Sequence, residues 1–190
     1  MARWIAIAGA ATLIAGCAGT ATLPHHFVYD GYRTSYLNYA AGRGGLLTEV
    51  VGNPFQAPKT DVDDAVTETF GQRGFGPKLD FFTVPPEGYS SAYRVVVLFD
   101  PADSVAPSRL CRDPFQPQVQ RPNERPGKVG VVAAFCQNDR RITSAGGSID
   151  GAGGPDDPAF RKVMSQVAAL LFPSRPGDRS PNEGNRTPGG

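Results

Sequence analysis

Two adjacent histidines are the side chains of this sequence with the clearest potential for acid–base chemistry. His25 and His26 are its only imidazoles, and imidazole is the group used most often as a general acid or base near neutral pH. A catalytic apparatus needs the imidazole to be held rigidly by a third group. Because both histidines lie at the predicted start of the folded region, we expect a polar edge of the fold and assign no catalytic residue.

A run of acids and a glycine-rich segment could bind metal or phosphate. Asp61, Asp63 and Asp64 alternate like calcium ligands, but the Gly and Glu required later in a calcium loop are missing. Acids in the first turn of a helix are favoured by its dipole, which explains them better. Segment 146–157 lacks the lysine of a P-loop, so we predict a flexible strand-to-helix connection, with a calcium loop as the alternative. We therefore predict no metal site and no cofactor.

The N-terminal residues have the features of an export signal. A short basic start at residues 1–3 precedes an uncharged apolar run over residues 4–15. As a helix this run would rise about 18 Å, which is too short for a hydrocarbon core of roughly 30 Å. The segment therefore predicts a secretory signal peptide rather than a membrane-spanning anchor.

The apolar run ends in an aliphatic residue and two small residues followed by a cysteine. This segment, Leu13-Ile14-Ala15-Gly16-Cys17, resembles the lipobox of bacterial lipoproteins. The resemblance implies that signal peptidase II recognises Leu13, Ile14, Ala15 and Gly16 and cleaves before Cys17. It also implies that Cys17 carries a diacylglycerol thioether and that its new α-amine is acylated with a fatty acid such as palmitate. Each buried methylene of such chains contributes about 0.8 kcal/mol, so the lipid would hold the protein on a membrane.

The same resemblance implies a location in the cell envelope. Ala18 follows Cys17, and in the enteric sorting pattern the absence of Asp there implies the periplasmic face of the outer membrane. In an organism with one membrane, the protein would lie on the outer face of the plasma membrane. Cleavage removes Arg3 and leaves equal numbers of positive and negative side chains, which gives no electrostatic basis for binding nucleic acid. The expected partners are the membrane, through the lipid on Cys17, and other envelope proteins.

Cys111 and Cys136 are the two cysteines that remain after lipidation. An even pair in an oxidising compartment predicts a disulfide, which would close a loop of about 26 residues and contribute roughly 3.5 kcal/mol. Neither cysteine lies in a Cys-x-x-Cys pair, and the histidines are far away in sequence. Free or metal-bound thiols are therefore the less favoured alternatives.

Two helices have clear sequence signals. Thr60 and Asp61 are N-cap types that precede apolar residues at helical spacing. A second helix is predicted with Asp157 as its N-cap and Pro158 at its first position, and Pro173 ends it. The apolar faces comprise Val62, Ala65, Val66, Thr69 and Phe70 in the first helix, and Phe160, Val163, Met164, Val167, Ala168 and Leu171 in the second.

Runs of β-branched and aromatic residues predict strands in the remainder of the domain. The last two strong runs are separated by turn residues at 137–140 and predict a hairpin. Residues 101–127 contain six prolines and predict an irregular excursion, which the disulfide would attach to this hairpin. The predicted strands are 92–99, 128–136 and 141–149, with weaker signals at 27–30, 46–51 and 79–84.

This order of elements predicts an α+β fold, with an antiparallel sheet of about four to six strands and two helices packed on one face. The layout is similar to that of small periplasmic lipoprotein domains. The expected organisation is a signal peptide at 1–16, a lipidated tether at 17–25, a single α+β domain at 26–172 and a tail at 173–190. The tail lacks large apolar residues and is expected to be disordered.

We therefore expect an envelope lipoprotein with a non-catalytic accessory, assembly or scaffolding role. Two alternatives stay open. One is a carboxylate-dependent hydrolase of cell wall or glycan, whose two acids need only meet in space. The other is a module that binds a small ligand, or a peptide along an exposed sheet edge. A deep pocket with two inward acids would favour the enzyme, and a shallow groove or free edge would favour binding.

Overall fold

A computed structural model describes residues 21–29, 31–74, 78–102, 105–112 and 127–174 of the chain. The predicted signal peptide, the lipobox with Cys17 and nearly all of the predicted tail lie outside these residues. The described residues form a six-stranded sheet and three α-helices. None of these helices is long and apolar enough to cross a membrane.

Strands and helices are interspersed along the chain, and a short 3-10 helix (Pro107–Arg109) lies between the fourth and fifth strands. The strands are β1 (Ala21–Val28), β2 (Leu46–Val51), β3 (Phe81–Phe82), β4 (Tyr93–Phe99), β5 (Lys128–Gln137) and β6 (Arg140–Asp150). The helices are α1 (Ser35–Gly42), α2 (Lys59–Gly71) and α3 (Pro158–Leu171).

The sheet is mixed, with the strand order β1-β6-β5-β4-β2-β3. Strand β6 pairs antiparallel with β1 and with β5, and β5 pairs antiparallel with β4. By contrast, β2 runs parallel to both of its neighbours, β4 and β3. Parallel neighbours need a crossover connection, and α2 lies in the connection from β2 to β3. The prediction of an α+β fold in one domain is confirmed, and the prediction of a purely antiparallel sheet is wrong.

One face of the sheet packs against the helices and forms the main core. Both predicted apolar helix faces are buried in it, which confirms them. Helix α1 adds Leu37 and Ala40 to the same core. The strand residues of this core include Val95, Val97, Phe99, Val131, Ala133 and Phe135, all of which are fully buried.

The two predicted helices differ in how well their first residues were identified. Helix α3 begins as predicted, because Pro158 is its first residue and the Asp157 side chain accepts a hydrogen bond from the Ala159 backbone N–H at 2.8 Å. Helix α2 begins at Lys59, so Thr60 and Asp61 lie in its first turn and neither is the N-cap. An i,i+4 ion pair from Lys59 to Asp63 supports this earlier start.

Strand β1 begins within the segment predicted to be a tether. It pairs antiparallel with β6 from Ala21, which lies opposite Ile149, to Val28. The predicted tether at 17–25 and the predicted strand at 27–30 are therefore both wrong in their boundaries. The pairing is irregular just after Thr22, and a Cβ on Gly147 would collide with the Thr22 carbonyl oxygen. Glycine at 147 permits this close approach of β1.

The other face of the sheet is covered by part of the proline-rich excursion. Cys111 and Cys136 form the predicted disulfide, with their Cα atoms 5.5 Å apart, and it attaches the segment around the 3-10 helix to β5. Residues 113–126 of the excursion lie outside the described residues. The small core under this segment comprises Val96, Leu98, Leu110, Cys111, Ala134 and Cys136.

The described chain ends close to the predicted domain boundary. Phe172 and Pro173 are buried after the end of α3, and Ser174 is exposed. Pro173 therefore belongs to the folded domain and not to the tail. The prediction of disorder for the rest of the tail concerns residues outside the described part of the chain.

Candidate interaction surface

One end of the sheet carries a continuous group of tyrosine and arginine side chains. Strands β1 and β5 end here, β4 begins here, and α1 lies alongside. We refer to this group as the tyrosine surface. Its members are Tyr29, Tyr36, Tyr39, Arg43, Tyr93, Gln137 and Arg140.

The β5–β6 hairpin forms one half of the tyrosine surface. The Arg140 guanidinium lies over the Tyr29 ring, 5.1 Å from its centroid, and donates a hydrogen bond to the Gln137 side-chain carbonyl. The Gln137 amide in turn donates to the Tyr93 hydroxyl at 3.0 Å. This series of contacts connects the end of β1 to the start of β4.

Helix α1 forms the other half. The Tyr36 ring stacks on Tyr93 with ring centroids 5.4 Å apart, and Tyr39 meets Tyr93 edge-on at 5.6 Å. The Arg43 guanidinium lies 5.4 Å from the Tyr39 centroid. Because Tyr36 and Tyr39 are three residues apart on a helix, they fall on the same side of α1. The eight residues of α1 therefore bring two rings to one ring on the sheet.

Tyr93 attaches this surface to the core. It is buried and stacks on Phe135 with centroids 5.7 Å apart, and Phe135 contacts Phe172 at 5.2 Å. Burial is the main cause that raises the pKa of Tyr93, and Tyr36 adds to it while Arg140 opposes it. Tyr93 is therefore a neutral hydroxyl at physiological pH, held in place by Gln137.

The rings at the two sides of this surface are open to solvent. Tyr29 is 39% exposed and Tyr39 is 46% exposed, and both are capped by an arginine. Tyrosine and arginine are enriched in protein interfaces, since they combine large contact area with polar groups. Their neighbours already restrain these side chains, so binding would cost less conformational entropy. This end of the sheet is thus suited to contact a partner.

The two histidines lie in β1, and both are held by other elements. The Nε2 atom of His25 is 2.9 Å from the Ser144 hydroxyl, and Nε2 of His26 is 3.0 Å from the Leu170 carbonyl. Ser144 is fully buried and cannot reach a substrate as a nucleophile in this arrangement. Burial, followed by the charge of Arg141, lowers the pKa of His25, which makes it a weaker base.

The acidic and glycine-rich segments have structural roles in the described residues. Asp61, Asp63 and Asp64 all lie in the first half of α2. Residues 146–150 belong to β6, so only 151–157 form the predicted connection to α3. Backbone N–H groups of Gly153 and Ala159 lower the pKa of Asp157, which caps α3. No group of three or more potential metal ligands occurs in the part of the chain that the structure describes.

A cleft of about 440 Å³ opens where the start of α1 meets the ends of α2 and α3. Its lining includes Thr34, Leu37, Arg73, Ala169, Phe172 and Ser174, and among the described residues no acid lines it. The cleft therefore does not bring together the two carboxylates that the hydrolase alternative requires.

The predicted lipidation residue lies outside the described residues, and so do the predicted recognition residues of signal peptidase II. What the structure adds is that β1 begins only four residues after Cys17. The tyrosine surface itself was not predicted. A signal for it exists in the sequence, because four of the six tyrosines lie between residues 29 and 39.

Comparisons with known proteins leave the family of the chain undetermined. No protein-family model and no curated protein sequence matches it. The PelC dodecamer from Paraburkholderia phytofirmans is a solved structure with a TM-score of 0.42 and 13% identity, over 81% of this chain and 98% of that chain. A single-residue variant of the same dodecamer gives a TM-score of 0.43 and 14% identity over the same shares. At these scores the likeness is distant and assigns no role.

Proposed function

We propose that the protein is a lipid-anchored component of the cell envelope with a non-catalytic accessory, assembly or scaffolding role. In this proposal the lipid on Cys17 holds the domain on a membrane, and the tyrosine surface contacts another envelope protein. The proposal combines the lipobox-like sequence with the position of the tyrosine surface relative to the N-terminal end of β1.

The observation that carries the proposal is that the two ends of β1 face opposite ends of the sheet. Ala21 pairs with Ile149 near the end of β6, whereas Val28 pairs with Thr143 near its start. Tyr29, a member of the tyrosine surface, follows directly. An eight-residue strand spans roughly 26 Å. A lipid on Cys17 would therefore lie near one end of the sheet and leave the tyrosine surface at the other.

This geometry favours a contact role because the short link restricts the domain. Only three residues separate Cys17 from the start of β1. The four steps from Cys17 to Ala21 span at most about 14 Å, so the domain would stay close to the bilayer with its free end directed away from it. A partner embedded in or attached to the same envelope could then meet the tyrosine surface in a defined orientation.

Anchoring is tested by replacing Cys17 with Ala in the producing organism. We expect the wild-type protein to incorporate a labelled fatty acid and to sediment with membranes. Cys17→Ala should lose the label and accumulate at the precursor mass, because it lacks the thiol that accepts the lipid.

Cys136→Ala is the matched control, since it removes a cysteine of the disulfide and leaves Cys17 in place, so it should keep the label. Labelling of Cys17→Ala equal to that of wild type would refute the anchoring part of the proposal.

A further inference from the structure

A second polar cluster lies on the face of the sheet away from the helices, where β1 and β6 pair. It consists of Arg141 and Ser144 on β6 and of His25 and Phe27 on β1. We refer to it as the Arg141 site. None of these four residues belongs to the tyrosine surface, and the inference drawn from them does not depend on lipid anchoring.

An irregularity in β6 brings Arg141 and Ser144 to the same face. Residues three apart on a regular strand point to opposite faces. Here Cys136 pairs with Arg141 while its neighbour Phe135 pairs with Thr143, so β6 contains one extra residue. Such a bulge shifts the alternation of side chains, and both Arg141 and Ser144 consequently lie on the side of the disulfide.

Hydrogen bonds connect three of the four side chains of the site. Arg141 donates from Nη1 to the Ser144 hydroxyl oxygen at 3.3 Å. Arginine has no acceptor, so the Ser144 hydroxyl accepts from Arg141, and it also lies 2.9 Å from Nε2 of His25, within hydrogen-bond distance. Burial and the charge of Arg141 lower the pKa of His25, which favours its neutral form.

The charge of Arg141 is not balanced by a carboxylate of the described residues. Its pKa is lowered from the ordinary value, and burial is the cause. Other partly buried arginines differ in this respect. Nε of Arg94, on the same face, lies 3.3 Å from Glu49, and Arg161 contacts two acids. A partly buried cation without a counter-charge is unfavourable, and a bound anion would compensate it.

We propose that the Arg141 site binds an oxyanion, either a carboxylate or a phosphate group. The guanidinium carbon lies over the Phe27 ring, 3.8 Å from its centroid, and this contact restrains the position of the guanidinium. The N–H donors of a guanidinium lie along the edge of its plane, where carboxylate and phosphate oxygens bind in pairs. The N–H groups not directed at Ser144 supply the donors.

The test is a titration of the full-length protein in detergent with sodium phosphate or sodium acetate, followed through the imidazole NMR signals of His25. We expect saturable shifts with a dissociation constant on the order of 1 mM. The ion that binds more tightly distinguishes phosphate from carboxylate. Sodium chloride at equal ionic strength should cause no saturable shift.

Arg141→Gln should weaken the saturable binding at least about tenfold. Arg73→Gln is the matched control, because Arg73 also donates to a serine hydroxyl, that of Ser165 at 3.1 Å, but lies elsewhere and is exposed. Unchanged binding by Arg141→Gln would overturn the proposal, and so would shifts equal to those with chloride, which would indicate an adventitious ion only.

A second measurement uses the unsubstituted protein, so that it does not depend on the stability of the variant. Phenylglyoxal modifies accessible arginines, and mass spectrometry reports the rate at each site. Phosphate or acetate should slow modification of Arg141 and leave that of Arg73 unchanged. Equal rates at Arg141 with and without either ion would contradict the proposed site.

Discussion

Tyr32 shows how a single buried side chain affects the stability of this domain. Only 1% of it is exposed, and its hydroxyl has no hydrogen-bond partner among the described residues. Its ring meets Tyr36 edge-on at 6.3 Å and thereby supports the tyrosine surface. A buried hydroxyl that lacks a partner costs about 1–3 kcal/mol, whereas the ring contributes favourable packing.

We therefore predict that Tyr32→Phe leaves the free energy of unfolding unchanged or raises it by about 1 kcal/mol, because the ring stays and the unpaired hydroxyl is lost. The matched control is Tyr89→Phe, since the Tyr89 hydroxyl bonds the Leu47 N–H at 3.3 Å and the Gly45 carbonyl at 3.1 Å. This control should lower stability by about 1 kcal/mol in urea unfolding. A similar loss for both variants would contradict the prediction.

Tyr32 also makes the stability of the domain depend on pH. Burial raises the pKa of Tyr32 from 10.0 to about 12. Between these values the unfolded chain loses the proton and the folded protein keeps it, so stability falls as pH rises above about 10. Tyr32→Phe should therefore lose less stability between pH 9 and pH 11 than the unsubstituted protein.

At the scale of elements, the sequence predicts those parts whose signals are local. Apolar periodicity predicted α2 and α3, and runs of β-branched and aromatic residues predicted β4, β5 and β6. The even pair of cysteines predicted the disulfide. Helix α1 was missed, because eight residues with only Leu37 and Ala40 buried give too little periodicity. The parallel placement of β2 was missed because strand direction depends on a crossover and not on composition.

Helix α3 provides a direct test of the main core. Val167 is fully buried, so Val167→Asp should destabilise the domain by more than about 3 kcal/mol, since the carboxylate must be desolvated or protonated. Gln166→Asp is the matched control, because it introduces the same charge at the neighbouring exposed position. Thermal melts should separate the two variants clearly. Equal melting temperatures would mean that α3 does not pack as described.

At the scale of the whole molecule, the two candidate sites depend on contacts between residues that are far apart in sequence. Tyr29 meets Arg140, and Phe27 meets Arg141, only because β1 pairs with β6. The sequence-based prediction started the first strand at residue 27 and placed His25 on a tether, so neither group of side chains could be predicted. The sequence shows which residue types are present, but it did not predict the pairing of β1 with β6 that brings them together.

The central claim is that the tyrosine surface contacts an envelope partner, and site-specific photocrosslinking in intact cells tests it most directly. A photoreactive p-benzoylphenylalanine replaces Tyr39 in one strain and the exposed Lys162 of α3 in a control strain. We expect a discrete adduct from position 39 and none from position 162. Arg140→Glu in the position-39 strain should reduce the yield of this adduct about tenfold, because arginines often contribute strongly to binding at interfaces. No adduct at position 39, equal adducts at both positions or insensitivity to Arg140→Glu would contradict the claim.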